Sequence, residues 1–418
     1  MFKTWHKVGD PFPNDGELLS ENTYGERDDL SRKRLASSQD VDYKYNIRMW
    51  LTDINDAFSS GCSATDLFAM RINYNSNNAN FSVGPYYNGN ISSIEWRTGA
   101  NCQVVGVSRN EAAYGFTYDT QSRLIKAAYG EYNSSNSWQS GSANRYTVDP
   151  VNYDDNGNIT GITRKGWISG ATYNTIDQLT YSYSGTYGNQ LATIAEASDI
   201  TRGFKKISAG ASGYSYDNNG NVIVDGYRGI TGITYNYLNL PAKITYSATQ
   251  YIELTYDAAG RKWKKTTVNG GSTTEKYYFG PVEYNGSNLE ALYHQEGRAV
   301  PSGGSYEYQY AIRDHLGSTR VMFKMVSGTA TLIQENHYYP FGMELDGSVF
   351  VGGANQYQYN GKELNEDLGL NWLDYGARWY DPSIARWNAV DPAAEEYFSA
   401  NRSVLPNLPI LGSYHLAP

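Results

Sequence analysis

The sequence predicts an all-β protein in which repeated β-hairpins form one long curled sheet or a hollow shell. Three observations support this prediction. Tyrosine and glycine are abundant, with 39 Tyr and 42 Gly among 418 residues, while only 18% of the residues are charged. That composition favours strands joined by tight turns. In addition, a short turn pattern recurs along the chain, and helix signals are few.

The recurring unit is a tyrosine, then Asp or Asn, then polar residues that often include Gly, then an apolar residue. Its tyrosines are 35, 20, 43, 19 and 21 residues apart, so most intervals lie near 20 or twice 20. A fixed period of this kind is typical of repeat architectures. The units begin at Tyr118-Asp119, Tyr153-Asp154, Tyr173-Asn174, Tyr216-Asp217, Tyr235-Asn236 and Tyr256-Asp257.

Each unit predicts a hairpin turn with a strand on either side. The Asp or Asn side chain can accept a hydrogen bond from the backbone two residues on, and Gly can adopt the left-handed conformation that closes the turn. Before the last turn, Ile252, Leu254 and Tyr256 alternate onto one face, as in a half-buried strand. The strand after it, 261–268, carries charge on both faces, and we expect at least one of them to face water.

Because a single hairpin is only marginally stable, we expect each one to pair with its neighbours. A long sheet must then curl or close to hide its edges. Two short helices are expected, over 51–70 and 392–398. The Gly- and Pro-containing segment 297–305 is expected to be a linker.

Several function classes are disfavoured by composition. A net charge of −9 without a basic stripe argues against a nucleic-acid partner. Cys62 and Cys102 form no disulfide framework, and the five histidines lack metal-ligand spacing, so no metal or cofactor is expected. These histidines are interpreted as structural or surface residues: His6, His294, His315, His337 and His415.

Targeting signals are equally sparse. No apolar run is long enough to span a membrane, and the first ten residues contain no secretion signal. Export by another route, or a true N-terminus that lies upstream, are the two expectations that remain open.

The C-terminal third contains an ordered set of motifs. It begins with Asp314-His315-Leu316-Gly317-Ser318-Thr319-Arg320, followed by Tyr338-Tyr339-Pro340-Phe341-Gly342 and Tyr359-Asn360-Gly361-Lys362-Glu363. It ends with Asp374-Tyr375-Gly376-Ala377-Arg378-Trp379-Tyr380-Asp381-Pro382, Arg386-Trp387 and Asp391-Pro392. In order and spacing this set resembles the RHS repeat-associated core, and the upstream unit resembles the YD repeat of RHS proteins, in the versions found in Bacteroidota.

The resemblance implies a strand spiral that encloses a variable C-terminal polypeptide, often a toxin used in bacterial competition, in a protein that is secreted or on the cell surface. The expected division is a degenerate repeat region at 1–110 and a YD-repeat array at 111–300. An RHS core follows at 301–398, and a short variable tail at 399–418. No cargo domain is visible in a tail this short, so a truncated gene, a shifted reading frame or an orphan tail is expected.

The resemblance also implies self-cleavage by an aspartyl-type autoprotease. The candidate catalytic residues are Asp381, Asp391 and Arg378. Two carboxylates brought together across a turn can share a proton, so that one acts as base and the other as acid, and an arginine can stabilise developing negative charge.

A structural interpretation of the same residues is that Asp381-Pro382 and Asp391-Pro392 simply begin turns. The chain also departs from the family pattern. Ala385 stands where Gly is frequent, and Ala393-Ala394-Glu395-Glu396 replaces the usual Gly- and Leu-bearing continuation.

A third function belongs to the binding class, namely an adhesion module whose tyrosines and tryptophans bind cell-surface glycans. Trp263 is its test residue. Most such aromatic residues instead fill the inner face of a sheet. We therefore favour a shell of the polymorphic-toxin type, with glycan adhesion and self-cleavage as alternatives.

Overall fold

The fold consists almost entirely of antiparallel strands, as predicted. A computed structural model describes residues 2–7, 16–55, 66–76, 81–99, 111–132, 138–139, 145–185, 188–199, 201–208, 210–211, 213–346 and 355–394. The chain divides into two units. The first holds Met1–Val148, Leu289–His337 and Glu344–Gly361, and the second holds Asp149–Asn288, Tyr338–Met343 and Lys362–Pro418.

The strands follow one another along the chain with short connections. The first ten are β1 Phe2–His6, β2 Glu17–Tyr24, β3 Leu30–Leu35, β4 Gln39–Tyr45, β5 Leu51–Ile54, β6 Phe68–Asn73, β7 Ser93–Thr98, β8 Glu111–Tyr118, β9 Leu124–Tyr132 and β10 Trp138–Gln139. The next twelve are β11 Val148–Tyr153, β12 Ile159–Ser169, β13 Thr172–Ser184, β14 Gln190–Glu196, β15 Tyr214–Tyr216, β16 Val222–Asp225, β17 Gly232–Tyr235, β18 Pro241–Ser247, β19 Gln250–Tyr256, β20 Lys262–Asn269, β21 Ser272–Phe279 and β22 Val282–Asn285.

The remaining strands belong to the C-terminal third. They are β23 Asn288–His294, β24 Gly297–Ser302, β25 Ser305–Arg313, β26 Thr319–Val326, β27 Thr329–Glu335, β28 Glu363–Asn365, β29 Trp372–Asp374, β30 Trp379–Asp381 and β31 Arg386–Trp387. Two single 3-10 turns lie among them, at Tyr359–Gly361 and Asp367–Gly369.

Within each unit almost every strand pairs with the next one in sequence. In the first unit, β1 to β9 are paired in order, and so are β23 to β27. In the second unit the paired runs are β12 to β14, β15 with β16, β17 to β22, and β28 to β31. Such nearest-neighbour pairing is the meander expected of consecutive hairpins.

Five of the six predicted units form the same five-residue turn. In the turn at Asp217, the Asp217 N–H bonds the Asn221 carbonyl at 3.0 Å, and Oδ1 accepts from the N–H groups of Asn219 and Asn221 at 2.9 Å each. Gly220 occupies its fourth position with φ of 80°, the left-handed region that glycine adopts without steric cost. The turns at Asp119, Asp154, Asn236 and Asp257 repeat this backbone pattern.

The sixth predicted turn, at Tyr173-Asn174, is wrong. Tyr173 and Asn174 lie inside β13, which pairs with β12 through Tyr173 opposite Trp167 and Asn174 opposite Gly166. The residue in the fourth turn position is Asp177, which is fully buried and paired with Arg164 rather than free to close a turn. The hairpin turn lies instead just upstream, at Gly170, where φ is 54°.

Two tyrosines join neighbouring hairpins: Tyr235 of the recurring pattern, and Tyr183, which lies in strand β13 outside the pattern. The Tyr235 hydroxyl donates to the carbonyl of Val222 at 2.6 Å, and the Tyr183 hydroxyl donates to that of Ile159 at 2.6 Å. Each acceptor is the first residue after an earlier five-residue turn, because those turns end at Asn221 and Asn158. A ring that packs in the sheet and a hydroxyl that satisfies a backbone carbonyl explain why tyrosine rather than phenylalanine recurs.

The expected helix over 51–70 is wrong where the chain is described. Leu51–Ile54 is strand β5 and Phe68 begins strand β6, and both place residues in the buried core. For the expected helix at 392–398, Pro392 and Ala393 form a turn and Ala394 is helical, while the rest lies outside the described residues. The tail at 399–418, Cys62, Cys102 and His415 also lie outside them.

The expected linker at 297–305 is also wrong. Gly297–Ser302 is strand β24, and it pairs with β25 through Ala299 opposite Tyr308. Gly303 and Gly304 form the hairpin turn with φ of 58° and 83°. The glycines therefore mark a hairpin turn inside the sheet rather than a linker.

Candidate functional site

The candidate catalytic residues lie in or beside a small four-stranded sheet of the second unit, β28 to β31. Arg378 directly precedes β30, and Asp391 follows β31. Asp381 ends β30 and pairs with Arg386 of β31, while Tyr380 pairs with Trp387. The core beneath combines residues of this sheet with residues of the upstream hairpins. Its buried members are Val222, Ile230, Ile233, Ile244, Ile252, Leu254, Leu370, Trp372 and Trp379. Burial of these side chains fixes the candidate residues against the hairpin array.

Both Asp-Pro sequences begin turns, as the structural interpretation predicts. Asp381 Oδ1 accepts from the Ser383 N–H at 3.0 Å, and Asp391 Oδ1 accepts from the Ala393 N–H at 3.0 Å. This geometry is the hydrogen bond by which an aspartate closes a turn two residues on. A turn role leaves the other carboxylate oxygen of each residue for an ionic partner.

Arg378 and Asp391 form an ion pair, with 2.9 Å between Arg378 Nη2 and Asp391 Oδ2. The guanidinium of Arg378 also stacks over the ring of Trp387 at 4.3 Å from its centroid. The Asp391 side chain retains 37% of its exposure and that of Arg378 retains 18%. Two of the three predicted residues are thus brought together, at a place that water reaches.

Asp381 has a different partner, Arg228 of the repeat array. Arg228 Nη2 lies 2.7 Å from Asp381 Oδ2, and both side chains are almost fully buried. The hydroxyl of Ser383 donates to Asp381 Oδ1 at 2.6 Å and accepts from Arg228 Nη2 at 3.0 Å. Oδ1 of Asp381 therefore accepts hydrogen bonds from Ser383, while Oδ2 lies against the Arg228 guanidinium as an ion-pair partner.

Arg228 also pairs with a second carboxylate, Asp225. The distance from Arg228 Nη1 to Asp225 Oδ2 is 2.9 Å, and the Asp225 side chain is fully buried. Burial raises the pKa of the Asp225 carboxyl, Arg228 opposes that rise, and the Asp381 carboxylate adds to it. Arg228 therefore lies between two carboxylates, Asp225 and Asp381. This is a different pair from Asp381 and Asp391, which the sequence predicts.

A second buried arginine reaches the same turn. Arg164 Nε donates to Asp177 Oδ2 at 2.7 Å, and Arg164 Nη2 donates to the Ser383 carbonyl. Arg164 and Asp177 are both almost completely buried. Removing one partner of such a pair is strongly destabilising, because it leaves an uncompensated buried charge.

A cluster of lysines and carboxylates attaches the start of the small sheet to the hairpins. Glu363 of β28 lies 2.5 Å from Lys262 and 3.6 Å from Lys276, and it accepts from the Tyr278 hydroxyl at 2.8 Å. Burial acts to raise the pKa of Glu363, but Lys262, Lys265 and Lys276 outweigh it and lower this pKa to about 2. We call this group the Glu363 cluster.

Sequence reasoning missed Asp225, Arg228 and the Glu363 cluster. Asp225 and Arg228 are three residues apart in a short segment between apolar residues, which gives a local signal for an ion pair but none for Asp381, 153 positions from Arg228. For the Glu363 cluster a signal did exist, namely the charges on both faces of β20. They are interpreted as a sign that the strand faces water on at least one side. Trp263 is indeed exposed, whereas Lys262 and Lys265 are buried against carboxylates.

The other candidates occupy varied positions. His337 is buried, accepts from the Trp96 indole N–H at 2.7 Å, and lies 2.7 Å from Glu335. His6 lies 3.1 Å from the Tyr308 hydroxyl. Trp263 is 48% exposed and contacts the Phe279 ring at 5.6 Å, so glycan binding at Trp263 stays a prediction. Throughout the described ranges, no helix is long and apolar enough to span a membrane.

No protein-family model matches the chain. Salivary gland surface protein 1 of Aedes aegypti is 27% identical over 241 residues, which are 50% of this chain and 6% of that protein. Toxin subunit YenC1 of Yersinia entomophaga is 34% identical over 90 residues, or 21% of this chain and 9% of that protein. The chain thus spans less than a tenth of the length of either curated relative.

Solved structures show the fold more completely. The crystal structure of TcdB2-TccC3 without its hypervariable C-terminal region covers 90% of this chain, with a TM-score of 0.62 and 18% identity. The Tc holotoxin pore of Photorhabdus luminescens, carrying a TccC3 variant, gives the same coverage and TM-score with 19% identity. In both cases the match covers 18% of the larger chain. The chain therefore has the fold of a segment of these toxin-complex proteins.

Proposed function

We propose that the chain is part of an RHS-type shell that encloses a C-terminal polypeptide, in a secreted or surface-exposed protein. The observation that supports this most strongly is the fold similarity over 90% of the chain to TcdB2-TccC3, a protein solved without a hypervariable C-terminal region. The two curated relatives, a toxin subunit and a salivary gland surface protein, fit the same setting.

The last of the ordered motifs suggest which end of the chain positions the enclosed polypeptide. They contribute β28 to β31, which share a core with the hairpins of the second unit and are attached through the Glu363 cluster. A segment anchored in this way holds the chain that follows it at a fixed place. In this proposal 301–398 is the core that positions the enclosed polypeptide, 111–300 is the repeat array, and 1–110 continues it.

Enclosure is testable by protease access. An unstructured peptide of about 30 residues with one protease site is fused after Pro418, and the same peptide is fused before Met1 in a control protein. The proposal predicts that the C-terminal peptide is cut at least about tenfold more slowly, because cleavage of an enclosed site requires opening of the structure around it. Equal cutting rates in the two fusions would contradict enclosure.

Self-cleavage by the core is the second candidate function. Its support is the ion pair of Arg378 with Asp391, together with the buried Asp381 carboxylate at the end of β30. In this reaction water adds its oxygen to a peptide carbonyl and the C–N bond breaks. One carboxylate takes the water proton, and the other carboxyl gives a proton to the leaving amine.

Intact mass spectrometry separates this candidate from a purely structural core. We expect freshly purified chain to lose C-terminal mass on incubation, while the Asp391→Asn variant, which keeps the turn acceptor, retains it. Full mass in both proteins would mean that the carboxylates act only as structural turn residues.

A further inference from the structure

Asp225, Arg228 and Asp381 form a buried group assembled from distant parts of the second unit. Asp225 ends β16, Arg228 lies three residues later, and Asp381 ends β30. Arg228 Nη1 donates to Asp225 Oδ2 at 2.9 Å, and Nε donates to the Leu370 carbonyl at 3.1 Å. Nη2 donates to the Ser383 hydroxyl at 3.0 Å and lies 2.7 Å from Asp381 Oδ2, close enough for an ion pair. Each of the three guanidinium nitrogens therefore has a hydrogen-bond partner, which sets the orientation of the group.

We propose that Arg228 is the positioning residue for Asp381 in self-cleavage, and that Asp225 holds Arg228 in place. The inference rests on the proposed self-cleavage. Ser383 holds Oδ1 of Asp381 through its N–H and its hydroxyl, and the Arg228 guanidinium lies against Oδ2 as an ion-pair partner. Together these contacts give the Asp381 carboxylate a defined orientation.

The second carboxylate distinguishes this group from an ordinary buried ion pair. Arg164 nearby is compensated by a single aspartate, Asp177. Arg228 is shared between two, so its positive charge is divided, and the group contains one more carboxylate than arginine. A structural ion pair gains nothing from the extra buried carboxylate, which costs desolvation energy. In a proton-transfer site, however, two carboxylates near one cation allow the group to accept a proton.

The charges of Arg228 and Asp225 predict opposite effects of two variants on the pH dependence of cleavage. Removing the positive charge with Arg228→Met disfavours the ionised form of its carboxylate partners. Removing the competing negative charge with the nearly isosteric Asp225→Asn leaves Arg228 to serve Asp381 alone. We therefore expect the acid limb of the cleavage rate to move to higher pH in the first variant and to lower pH in the second, by about one pH unit.

The experiment measures loss of C-terminal mass over time between pH 4 and pH 9, in the parent, Arg228→Met, Arg228→Lys and Asp225→Asn. The control is Arg320→Lys, which changes another buried arginine that is paired with an aspartate, Asp314. We expect Arg228→Lys to slow cleavage at least about tenfold, because one ammonium cannot reproduce a guanidinium held at two carboxylates. The control should cleave at the parental rate.

Each outcome has a separate meaning. A parent that keeps its full mass overturns self-cleavage and the inference with it. If the parent is cleaved, and the Arg228 and Asp225 variants are cleaved at the same rate and with the same pH profile, only the positioning role is overturned. If the Arg228 variants fail to fold, the Asp225→Asn profile decides, since that substitution keeps the side-chain volume. An unshifted acid limb there would contradict the inference.

Discussion

At the scale of single residues, Ala385 shows how a departure from a family pattern appears in a structure. Its φ is 56°, in the left-handed region that favours glycine, at the position where RHS-type sequences frequently have Gly. A left-handed residue with a Cβ costs roughly 1–2 kcal/mol. The sequence located this position through the resemblance, but only the backbone shows why a side chain is unfavourable there.

We expect Ala385→Gly to stabilise the protein. Relief of the steric cost is partly offset by the greater freedom of glycine in the unfolded chain, which leaves a gain of about 0.5–1 kcal/mol. Urea denaturation should show a higher midpoint. Ala299→Gly in strand β24 is the control, and it should lower the midpoint. A midpoint for Ala385→Gly at or below that of the parent would contradict this explanation.

Single residues also mark the limit of sequence reasoning. Arg378 and Asp391 were named from their motif, and the structure pairs them. Asp381 was named as well, but its partners Arg228 and Asp225 lie in the repeat array. Pairings of this length depend on how the sheets pack, and no local spacing encodes them. The sequence could therefore name candidate carboxylates without naming the arginine that holds one of them.

At the scale of elements, turn chemistry was the most reliable predictor. The turns at Asp119, Asp154, Asp217, Asn236 and Asp257 follow from local hydrogen bonds and one left-handed residue. The failures have a common physical cause. Asn174 pairs within the hairpin of β12 and β13, and the glycines at 297–305 belong to a strand and its hairpin turn instead of a linker. Pairing with the neighbouring strand prevailed over local composition in both places.

The tyrosine hydroxyls are expected to stabilise the contact between neighbouring hairpins. Tyr235→Phe removes the donor to the Val222 carbonyl, and we expect it to lower the free energy of unfolding by about 1–2 kcal/mol. Tyr237→Phe is a matched control, because Tyr237 is 77% exposed. Its effect should stay within about 0.5 kcal/mol. Thermal unfolding monitored by circular dichroism measures both, and equal effects would contradict the role given to the buried hydroxyl.

The Glu363 cluster predicts how acid affects the attachment of the small sheet. The pKa of Glu363 is lowered to about 2 in the folded protein, from an ordinary value of 4.5. Its contribution to stability is therefore present above pH 4.5 and is lost as the pH falls from 4.5 through about 2. Neutralising it with Glu363→Gln removes the carboxylate that three buried lysines share and leaves each lysine with one other carboxylate. We expect a loss of about 3 kcal/mol at pH 7, which corresponds to the lowering of the Glu363 pKa from 4.5 to about 2.

Urea unfolding at a series of pH values tests this expectation. The parent should lose stability steeply below pH 4.5, whereas Glu363→Gln should start lower and change less over that range. Glu253→Gln is the control, since Glu253 pairs with Lys243 at an exposed site. An exposed pair of this kind contributes about 0–1 kcal/mol. Parallel curves for the parent and Glu363→Gln would show that Glu363 does not carry the pH dependence.

At the scale of the whole molecule, composition was enough to predict the fold class. Abundant tyrosine and glycine and a repeating turn predicted antiparallel hairpins, and both units consist of them. The ordered motifs of the C-terminal third predicted a resemblance, and solved toxin-complex structures share the fold over 90% of the chain. The arrangement of buried ion pairs inside the second unit could not be predicted from the sequence, because it depends on how the small sheet packs against the hairpins.

The most direct test of the proposed function is electron cryomicroscopy of the chain with a polypeptide of about 60 residues fused after Pro418, compared with the unfused chain. A shell that encloses a C-terminal polypeptide predicts additional density bounded by the hairpin sheets and connected to the end of the core near Asp391. Additional density that projects into solvent, outside the sheets, would contradict enclosure as the function of this fold.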